Sequence, residues 1–284
     1  MNIDLHIHTT ASDGTCSPSE VLDIARDIGL GAIAITDHDT IDGMLEALRI
    51  GAPDSLKLLN GIEISAAPPP SAPYSGSMHI LGYGINLDDS ELNRALQVLQ
   101  KARRDRNPDI IDRLNHLGFK ISLAEVVNSV GKGQFSRPHI ARFMLKKGYV
   151  KSIDEAFDRY LATGNPAYVD KYRIPCQEAI DIILGAGGLP VLAHPILLNY
   201  KHAADLEQLV LVLKKMGLKG LEVYYPEHPP AETKFYIQLA EKHGFLMTGG
   251  TDFHGQLNPE IQMGLGTGDL CVPYGLYEQL VASL

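Results

Sequence analysis

The amino-acid sequence predicts an α/β fold in one large domain, with a helical segment inserted part-way along. Three observations predict it. Short apolar runs alternate with helix-periodic stretches through most of the chain. Histidines and carboxylates recur where those runs stop, and 284 residues at 45% hydrophobic content supply one large core more readily than two small ones. A formal charge of −9 excludes a general nucleic-acid-coating surface, duplex DNA included, because such binding neutralises phosphates with Lys and Arg. A local basic pocket stays compatible with it. The three widely spaced cysteines, Cys16, Cys176 and Cys271, argue against a disulfide framework and for a reducing compartment. No basic start leads into an apolar run and no stretch reaches membrane-span length, so the expectation is a soluble cytoplasmic protein without a membrane partner.

Residues 4–9 form the first expected strand, where alternation sets His6 and His8 on one face and Leu5 and Ile7 on the other. Two imidazoles on one face can share one ion. A turn-rich loop over 10–15 carries Asp13, and Ser17-Pro18-Ser19-Glu20 opens a helix with a capping-box pattern that Gly29 ends. The run 32–36 reads as a strand buried on both faces, stopping at Asp37-His38-Asp39, with a helix through Met44 and Leu48 behind it. The third strand, 58–64, sets Glu63 among apolar neighbours, where an unpaired carboxylate is costly and a cation is a good partner. The stretch 66–76, with Pro68, Pro69, Pro70 and Pro73, reads as an extended loop. Residues 78–83 form a strand with His79 near its start, suited to pairing with the Glu63 strand.

From 90 to about 120 the pattern becomes a long helix bearing Lys101, Arg103, Arg104 and Arg106, for which a solvated face is the simplest reading. Helical character persists to about 171. Within it Ser136-Arg137-Pro138-His139 opens a helix over 140–147, and a helix start beside an arginine is a ready phosphate site. The α/β rhythm then returns: helix 175–184, strand 189–193 ending at His194-Pro195, helix 204–216, strand 218–225 containing Glu222, helix 231–243, and strand 245–251 ending at Asp252-Phe253-His254. The expected organisation is an α/β body in two parts, 1–100 and 173–284, around a helical insertion over 101–172.

Six of the eleven histidines, His6, His8, His38, His79, His194 and His254, fall at or next to strand ends, with Asp13, Glu63 and Asp252 in equivalent places. In a parallel barrel those ends gather at one mouth, where barrel active sites are built. An imidazole and carboxylate set without thiolate suits zinc, manganese or iron. These residues resemble the PHP (polymerase and histidinol phosphatase) family of amidohydrolase-like metal hydrolases, whose four signatures appear as His6-Ile7-His8, Thr36-Asp37-His38, Ala193-His194-Pro195 and Asp252-Phe253-His254. The resemblance covers nearly the whole chain except the insertion. It implies a distorted seven-stranded βα barrel holding three divalent ions, commonly manganese, iron or zinc, with the insertion over 101–172 capping the substrate. By the family pattern His6, His8, Glu63 and Asp252 would hold one ion, Glu63, His79 and His194 a second with Glu63 bridging, and Asp13, His38 and His254 the third.

The insertion, with Ser136-Arg137-Pro138-His139 and Lys171-Tyr172, is similar to the subgroup acting on nucleoside 3′,5′-bisphosphates such as pAp. That implies removal of the 3′-phosphate to leave a nucleoside 5′-monophosphate, and relatives of the subgroup are also implicated in trimming short RNAs from a 5′-phosphorylated end. One phosphate would sit on the metals while the other needs a cationic clamp. Candidate substrate contacts are Asp13, His38, Arg103, Arg104, Ser136, Arg137, His139 and Lys171, with Arg106 a further clamp candidate. The implied mechanism is metal-assisted hydrolysis without a covalent enzyme intermediate. Asp4 and Asp37 read equally as partners that orient ligand imidazoles or as turn-capping groups. His139 and His202 are candidate leaving-group acids against the simpler reading of surface histidines, and Tyr172 or Phe135 could stack on a nucleobase. Histidinol phosphatase, 3′–5′ exonuclease and a metal-binding module without turnover are the competing readings.

Overall fold

Strands β1 (Ile3–Ile7), β2 (Ala32–Ile35) and β3 (Lys57–Ala67) open a parallel sheet that curls until its ends nearly meet. The structure, a computed structural model, describes residues 1–70, 76–130 and 135–284. After β4 (Met78–Tyr83) and a two-residue β5 (Ile174–Pro175) come β6 (Leu189–Leu192), β7 (Gly220–Tyr224) and β8 (Leu246–Gly249). The path runs β1-β2-β3-β4-β6-β7-β8, with β5 attached to the far end of β3. A parallel bridge between Ile7 and Phe253, with the His8 N–H donating to the Phe253 carbonyl at 2.9 Å, draws the last strand against the first. The result is a nearly closed, seven-stranded βα barrel.

One strand breaks the parallel rule. β4 runs antiparallel to both β3 and β6, so its beginning lies where the other strands end. A histidine near the start of β4 therefore reaches the same mouth as histidines placed after β1, β2, β6 and β8.

Burial follows strand alternation. In β2 Ala32 and Ala34 pack with Leu5, Leu59, Leu81 and Val191, while Ile33 and Ile35 pack on the opposite side against helices α1 (Pro18–Asp27) and α2 (Asp42–Ile50). Each fully buried Ile, Leu or Val among them contributes roughly 1.5–3 kcal/mol. The first strand departs from simple alternation: Leu5 packs with Ala34 but Ile7 packs with Val21, because the β1–β2 register shifts between Asp4 and Ile7. Irregularities of this kind re-aim side chains beside active sites. The capping box of α1 is present, with the Ser17 hydroxyl accepting from the Glu20 N–H at 3.3 Å and the Glu20 carboxylate accepting from the Ser17 N–H at 2.7 Å.

Helix α3 (Ser90–His116) links two cores: Leu92, Leu96 and Leu99 pack with the barrel, whereas Ile110, Ile111 and Leu114 pack with α4 (Leu123–Val130), α5 (Arg137–Lys146) and the short α6 (Ile153–Ala156). Helices α7 (Cys176–Gly185), α8 (Ala203–Lys215) and α9 (Pro230–His243) alternate with the later strands. α10 (Tyr274–Val281), absent from the sequence reading, covers the barrel interior with Leu276 and Leu280. β3 runs to Ala67, beyond the expected end at 64, so the proline-rich loop starts later, and Pro73 lies outside the described residues. Among the described residues no helix is long and apolar enough to cross a membrane.

Candidate metal and phosphate site

The donors proposed from sequence converge on Glu63, a fully buried carboxylate in β3. Its two oxygens face different partners. Oε2 lies 3.4 Å from His6 Nε2, 3.2 Å from His8 Nε2 and 2.8 Å from His38 Nδ1, while Oε1 lies 2.8 Å from His79 Nδ1 and 3.0 Å from His194 Nε2. Asp252 Oδ1 completes the first set at 3.3 Å from His6 Nε2 and 3.0 Å from His8 Nε2. Asp13 Oδ1 stands 3.4 Å from His254 Nε2. Three groups have ligand atoms close enough to share an ion: His6, His8, Glu63 and Asp252; His8, Asp13, His38 and His254; and His38, Glu63 and His79. The first matches the expected set, His8 joins the Asp13 group, and His38 stands beside Glu63 and His79, with His194 Nε2 also 3.2 Å from His79 Nδ1.

The chemistry of this set fits divalent cations. Donors at about 2.0–2.2 Å from one ion stand roughly 2.8–3.6 Å from one another in tetrahedral or octahedral geometry. The separations of 3.0–3.4 Å in the first group fall in that range, yet His6 Nε2, His8 Nε2, Glu63 Oε2 and Asp252 Oδ1 are buried and make no hydrogen bond of acceptable geometry among the described residues. Burial alone would lower the His8 pKa, but Asp252 and Glu63 push it up to about 10. Burial likewise opposes the charge on Asp252, which the surrounding imidazoles hold well below the carboxylate range. Imidazole protons and divalent cations thus compete to balance the same carboxylates.

Glu222 in β7 went unassigned in the sequence reading and is the main orienting group. Its Oε1 accepts from His6 Nδ1 at 2.9 Å, leaving Nε2 to face inward, and its Oε2 accepts from the His194 N–H at 2.7 Å. The reasoning that singled out Glu63, a carboxylate inside an apolar strand, applies equally to Glu222. His254 is fixed in the same manner, Nδ1 donating to the Asp252 carbonyl at 2.7 Å. The Tyr225 hydroxyl donates to Asp252 Oδ2 at 3.1 Å, leaving Oδ1 toward the histidines. Asp4 ties down Thr251 and Gly264, and Asp37 holds Thr9 and Ser12, which is the turn-capping reading. Three residues at this mouth, Asp39, His194 and Asp252, adopt positive φ, which costs of order 1–3 kcal/mol each and persists where the surroundings enforce it.

Beside the donors lies a second buried group of opposite sign. Asp39 accepts from Arg103 Nε at 2.8 Å, from Lys171 Nζ at 3.2 Å and from the Ser65 N–H at 2.7 Å, and its own N–H donates to the Glu63 carbonyl at 2.9 Å. Two cations share that carboxylate. Arg106, 5% exposed, donates to Asn107 Oδ1 at 3.0 Å and has no partner for Nε among the described residues. Burial, with Arg137 and Arg103 nearby, lowers its pKa to about 9. Burial and Arg103 bring Lys171 down to about 7.

The family described as PHP domain matches residues 4–172, more than half of the chain. The chain belongs to the PHP domain family. The match runs through the helical segment, where the sequence resemblance had skipped it, and stops before His194, Asp252 and His254. A 3′,5′-nucleoside bisphosphate phosphatase of Chromobacterium violaceum is 31% identical over 262 residues, covering 89% of this chain and 87% of its own. The 5′-3′ exoribonuclease Rnm of Escherichia coli is 32% identical, covering 92% of this chain and 87% of its own. An amidohydrolase from Chromobacterium violaceum, solved with bound sulfate and no metal, superposes with a TM-score of 0.84 at 29% identity over 99% of this chain and 96% of that one.

The remaining candidates of this PHP domain divide by burial. A solvated face describes Lys101 and Arg104 but not Arg103 and Arg106, which are 7% and 5% exposed. The signal was present: Leu92, Leu96, Leu99, Arg103, Arg106, Ile110 and Leu114 form one helical stripe, so the two arginines occupy core positions. Arg137 donates to the Leu161 carbonyl at 3.0 Å and lies over the Phe157 and Tyr168 rings. Ser136 Oγ is 3.4 Å from Asp13 Oδ2 and 2.9 Å from His139 Nδ1, which ties α5 to the donor cluster. His202 is an exposed residue at the start of α8, as the simpler reading had it. Phe135 lines a cavity of about 570 Å³ with Arg103, Arg104, Asn107, Leu123 and Val127, whereas the exposed Tyr172 lines a different groove with Arg94 and Val98.

Proposed function

We propose that this chain is a metal-dependent phosphomonoesterase that removes the 3′-phosphate from nucleoside 3′,5′-bisphosphates, releasing nucleoside 5′-monophosphate and phosphate. The observation that carries the reading is the direct link between two buried sites of opposite charge, the donors around Glu63 and the cations around Asp39, joined by the 2.9 Å bond from Asp39 N–H to Glu63 carbonyl. A ligand with one phosphate over the donors and a second on the cations satisfies both at once. The Chromobacterium violaceum relative, a 3′,5′-nucleoside bisphosphate phosphatase by name, supports the same choice.

In this reading His6, His8, Asp13, His38, Glu63, His79, His194, Asp252 and His254 hold three divalent cations, manganese first and iron or zinc as alternatives. Bound cations supply Lewis-acid charge and acidify water at neutral pH. The chain does the rest. Glu222 holds the His6 proton on Nδ1 and the Asp252 carbonyl holds the His254 proton on Nδ1, so each ring offers Nε2 inward. Arg106, Arg103 and Lys171 bind the non-reacting phosphate, with Arg137 close behind and Arg104 at the rim. The 570 Å³ cavity lined by Phe135 and Asn107 is of ligand-pocket size and takes the nucleoside. The helical segment between β4 and β5 caps that cavity.

A manganese-supplemented panel tests the assignment, comparing a nucleoside 3′,5′-bisphosphate with histidinol phosphate, a nucleoside 3′-monophosphate and single-stranded DNA. The expected result is a kcat/KM for the bisphosphate about 100-fold or more above the others, since losing charge-assisted bonds to one phosphate costs about 1.5–3 kcal/mol per bond. Equal rates across the panel sink the choice of substrate, and no phosphate release from any ester sinks the choice of reaction.

A further inference from the structure

The imidazoles of the donor cluster are not all oriented in the same way. Glu222 accepts from His6 Nδ1 and the Asp252 carbonyl from His254 Nδ1, each fixing its ring through the nitrogen that faces away from the donors. His194 has no such bond. Its Nε2 lies 3.0 Å from Glu63 Oε1, while its Nδ1 is buried and has no hydrogen-bond partner among the described residues. Its backbone is strained as well, with φ at 24° in the left-handed region. Its orientation therefore has another source.

Aromatic contacts supply it. The Tyr225 ring meets the His194 ring at 5.5 Å between centroids with 61° between planes, Tyr225 meets His228 at 5.1 Å, and His228 meets Tyr236 at 4.7 Å. All three lie in the range where aromatic pairs attract. His228 is pinned in this ladder by Nδ1, which donates to the Val223 carbonyl at 2.9 Å. Tyr236, fully buried on α9, donates to the Tyr200 oxygen at 2.7 Å, because the Tyr200 proton goes to Glu232 Oε2 at 2.6 Å. Tyr200 lies in the same β6–α8 connection as His194, across a 3₁₀ turn (Pro195–Leu198) and Asn199, which also has positive φ. The ladder thus returns to the segment it started from and closes a ring of contacts.

A fully buried tyrosine hydroxyl is costly without a partner, so the Tyr236–Tyr200–Glu232 chain specifies one seat for residues 194–200 where apolar packing alone would allow several. Backbone bonds from the Gly76 and Ser77 N–H groups to the Leu198 and Leu197 carbonyls hold the middle of that segment, and the tyrosines lock its far end. We infer that this ring of aromatic contacts, locked by Tyr200, Tyr236 and Glu232, positions His194 as Glu222 positions His6, and so sets the affinity of the one ion that His194 holds. Tyr225, Tyr236 and Tyr200 are then positioning residues, the last two acting on the metal centre without touching a donor. This inference rests on the proposed role of His194 as an ion ligand.

The test is manganese titration calorimetry on the metal-free full chain, with His194→Ala as the reference that identifies the ion concerned. Tyr200→Phe and Tyr236→Phe each open the lock and keep the ring. Each is expected to weaken that one ion about tenfold while the others stay within about twofold. Adding Tyr200→Phe to His194→Ala is expected to cost nothing further, as for residues that act through one chain of contacts. The visible spectrum of the cobalt-loaded Tyr200→Phe chain changes only in the bands that His194→Ala abolishes, and excess manganese restores kcat, which a loss of folded protein would not permit. Tyr149→Phe, which removes a hydroxyl bonded to the Lys120 carbonyl, leaves every ion unchanged. Unchanged ion affinities in both lock variants overturn the inference, as does an equal weakening of every ion. A wild-type chain that binds no manganese overturns the ion-ligand reading and this inference together. An ion sensitive to the lock in a chain that hydrolyses no nucleoside bisphosphate keeps the inference and removes the activity proposed above.

Discussion

The two buried charged regions of this PHP domain carry opposite surpluses. Around Glu63, the carboxylates of Asp13, Asp252 and Glu222 are gathered with imidazoles, and the Nε2 atoms of His6 and His8 converge with Glu63 Oε2 and Asp252 Oδ1 at 3.0–3.4 Å without hydrogen-bond geometry among the described residues. Around Asp39, Arg103 and Lys171 divide one carboxylate while Arg106 has none among the described residues. Burying an uncompensated ion costs several kcal/mol even after relaxation, so neither surplus is explained by stability. The contrast teaches what completes each region: cations in the first, an anion in the second. The single backbone bond from Asp39 to Glu63 makes the spacing between the two a property of the barrel mouth.

The largest effect that would break this contrast is expected at its centre. Glu63→Gln removes the charge that both oxygens share among five imidazoles. Loss of metal charge worth several kcal/mol at the reacting phosphate predicts a fall in kcat/KM of about 10³-fold, with bound metal reduced in elemental analysis. Activity retained within tenfold would detach Glu63 from the chemistry. Glu222→Gln reaches the same region at one remove. The expected outcome is metal affinity lower by about 10–100-fold, read by titration calorimetry, with the fold intact by circular dichroism.

Arg106→Met probes the other region. Removing a charge-assisted hydrogen bond predicts a KM for the bisphosphate raised about tenfold or more with kcat little changed. Thermal stability should hold or rise, because a buried cation without a carboxylate is replaced by an apolar side chain of similar length. A drop in stability with unchanged KM would make Arg106 a structural residue. The smallest effect is a pH dependence. Burial and Arg103 set Lys171 at about 7, below its ordinary 10.5, so its ammonium is present below that pH and lost above it. The KM should therefore rise several-fold between pH 6 and pH 8.5, and Lys171→Arg should flatten that rise, since guanidinium keeps its charge.

Much of the donor region was legible because strand ends announce themselves: an apolar run that stops at Asp37-His38 or Asp252-Phe253-His254 locates a side chain at the mouth without knowledge of pairing. The antiparallel turn of β4 did not disturb this, since His79 stands at that strand's start. The cation region was less legible. Arg103 and Arg106 sit on the apolar stripe of α3, yet their charge invited a solvent-facing reading. Asp39 depends on a left-handed backbone turn and on partners 64 and 132 residues away, which no local pattern carries. Glu222 depends on His6, 216 residues distant. α10 buries only Leu276 and Leu280, too few apolar positions to mark a helical face.

The central claim, that one mouth joins a cation-holding pocket to an anion-holding one, is tested most directly by a crystal grown with manganese, nucleoside 5′-monophosphate and phosphate, measured at the manganese absorption edge. The account predicts three anomalous peaks at about 2.0–2.2 Å from the donors around Glu63, with the nucleotide phosphate on Arg106 and Lys171 and free phosphate over the metals. Anomalous peaks elsewhere, or a nucleotide whose 5′-phosphate avoids Arg106, would contradict it.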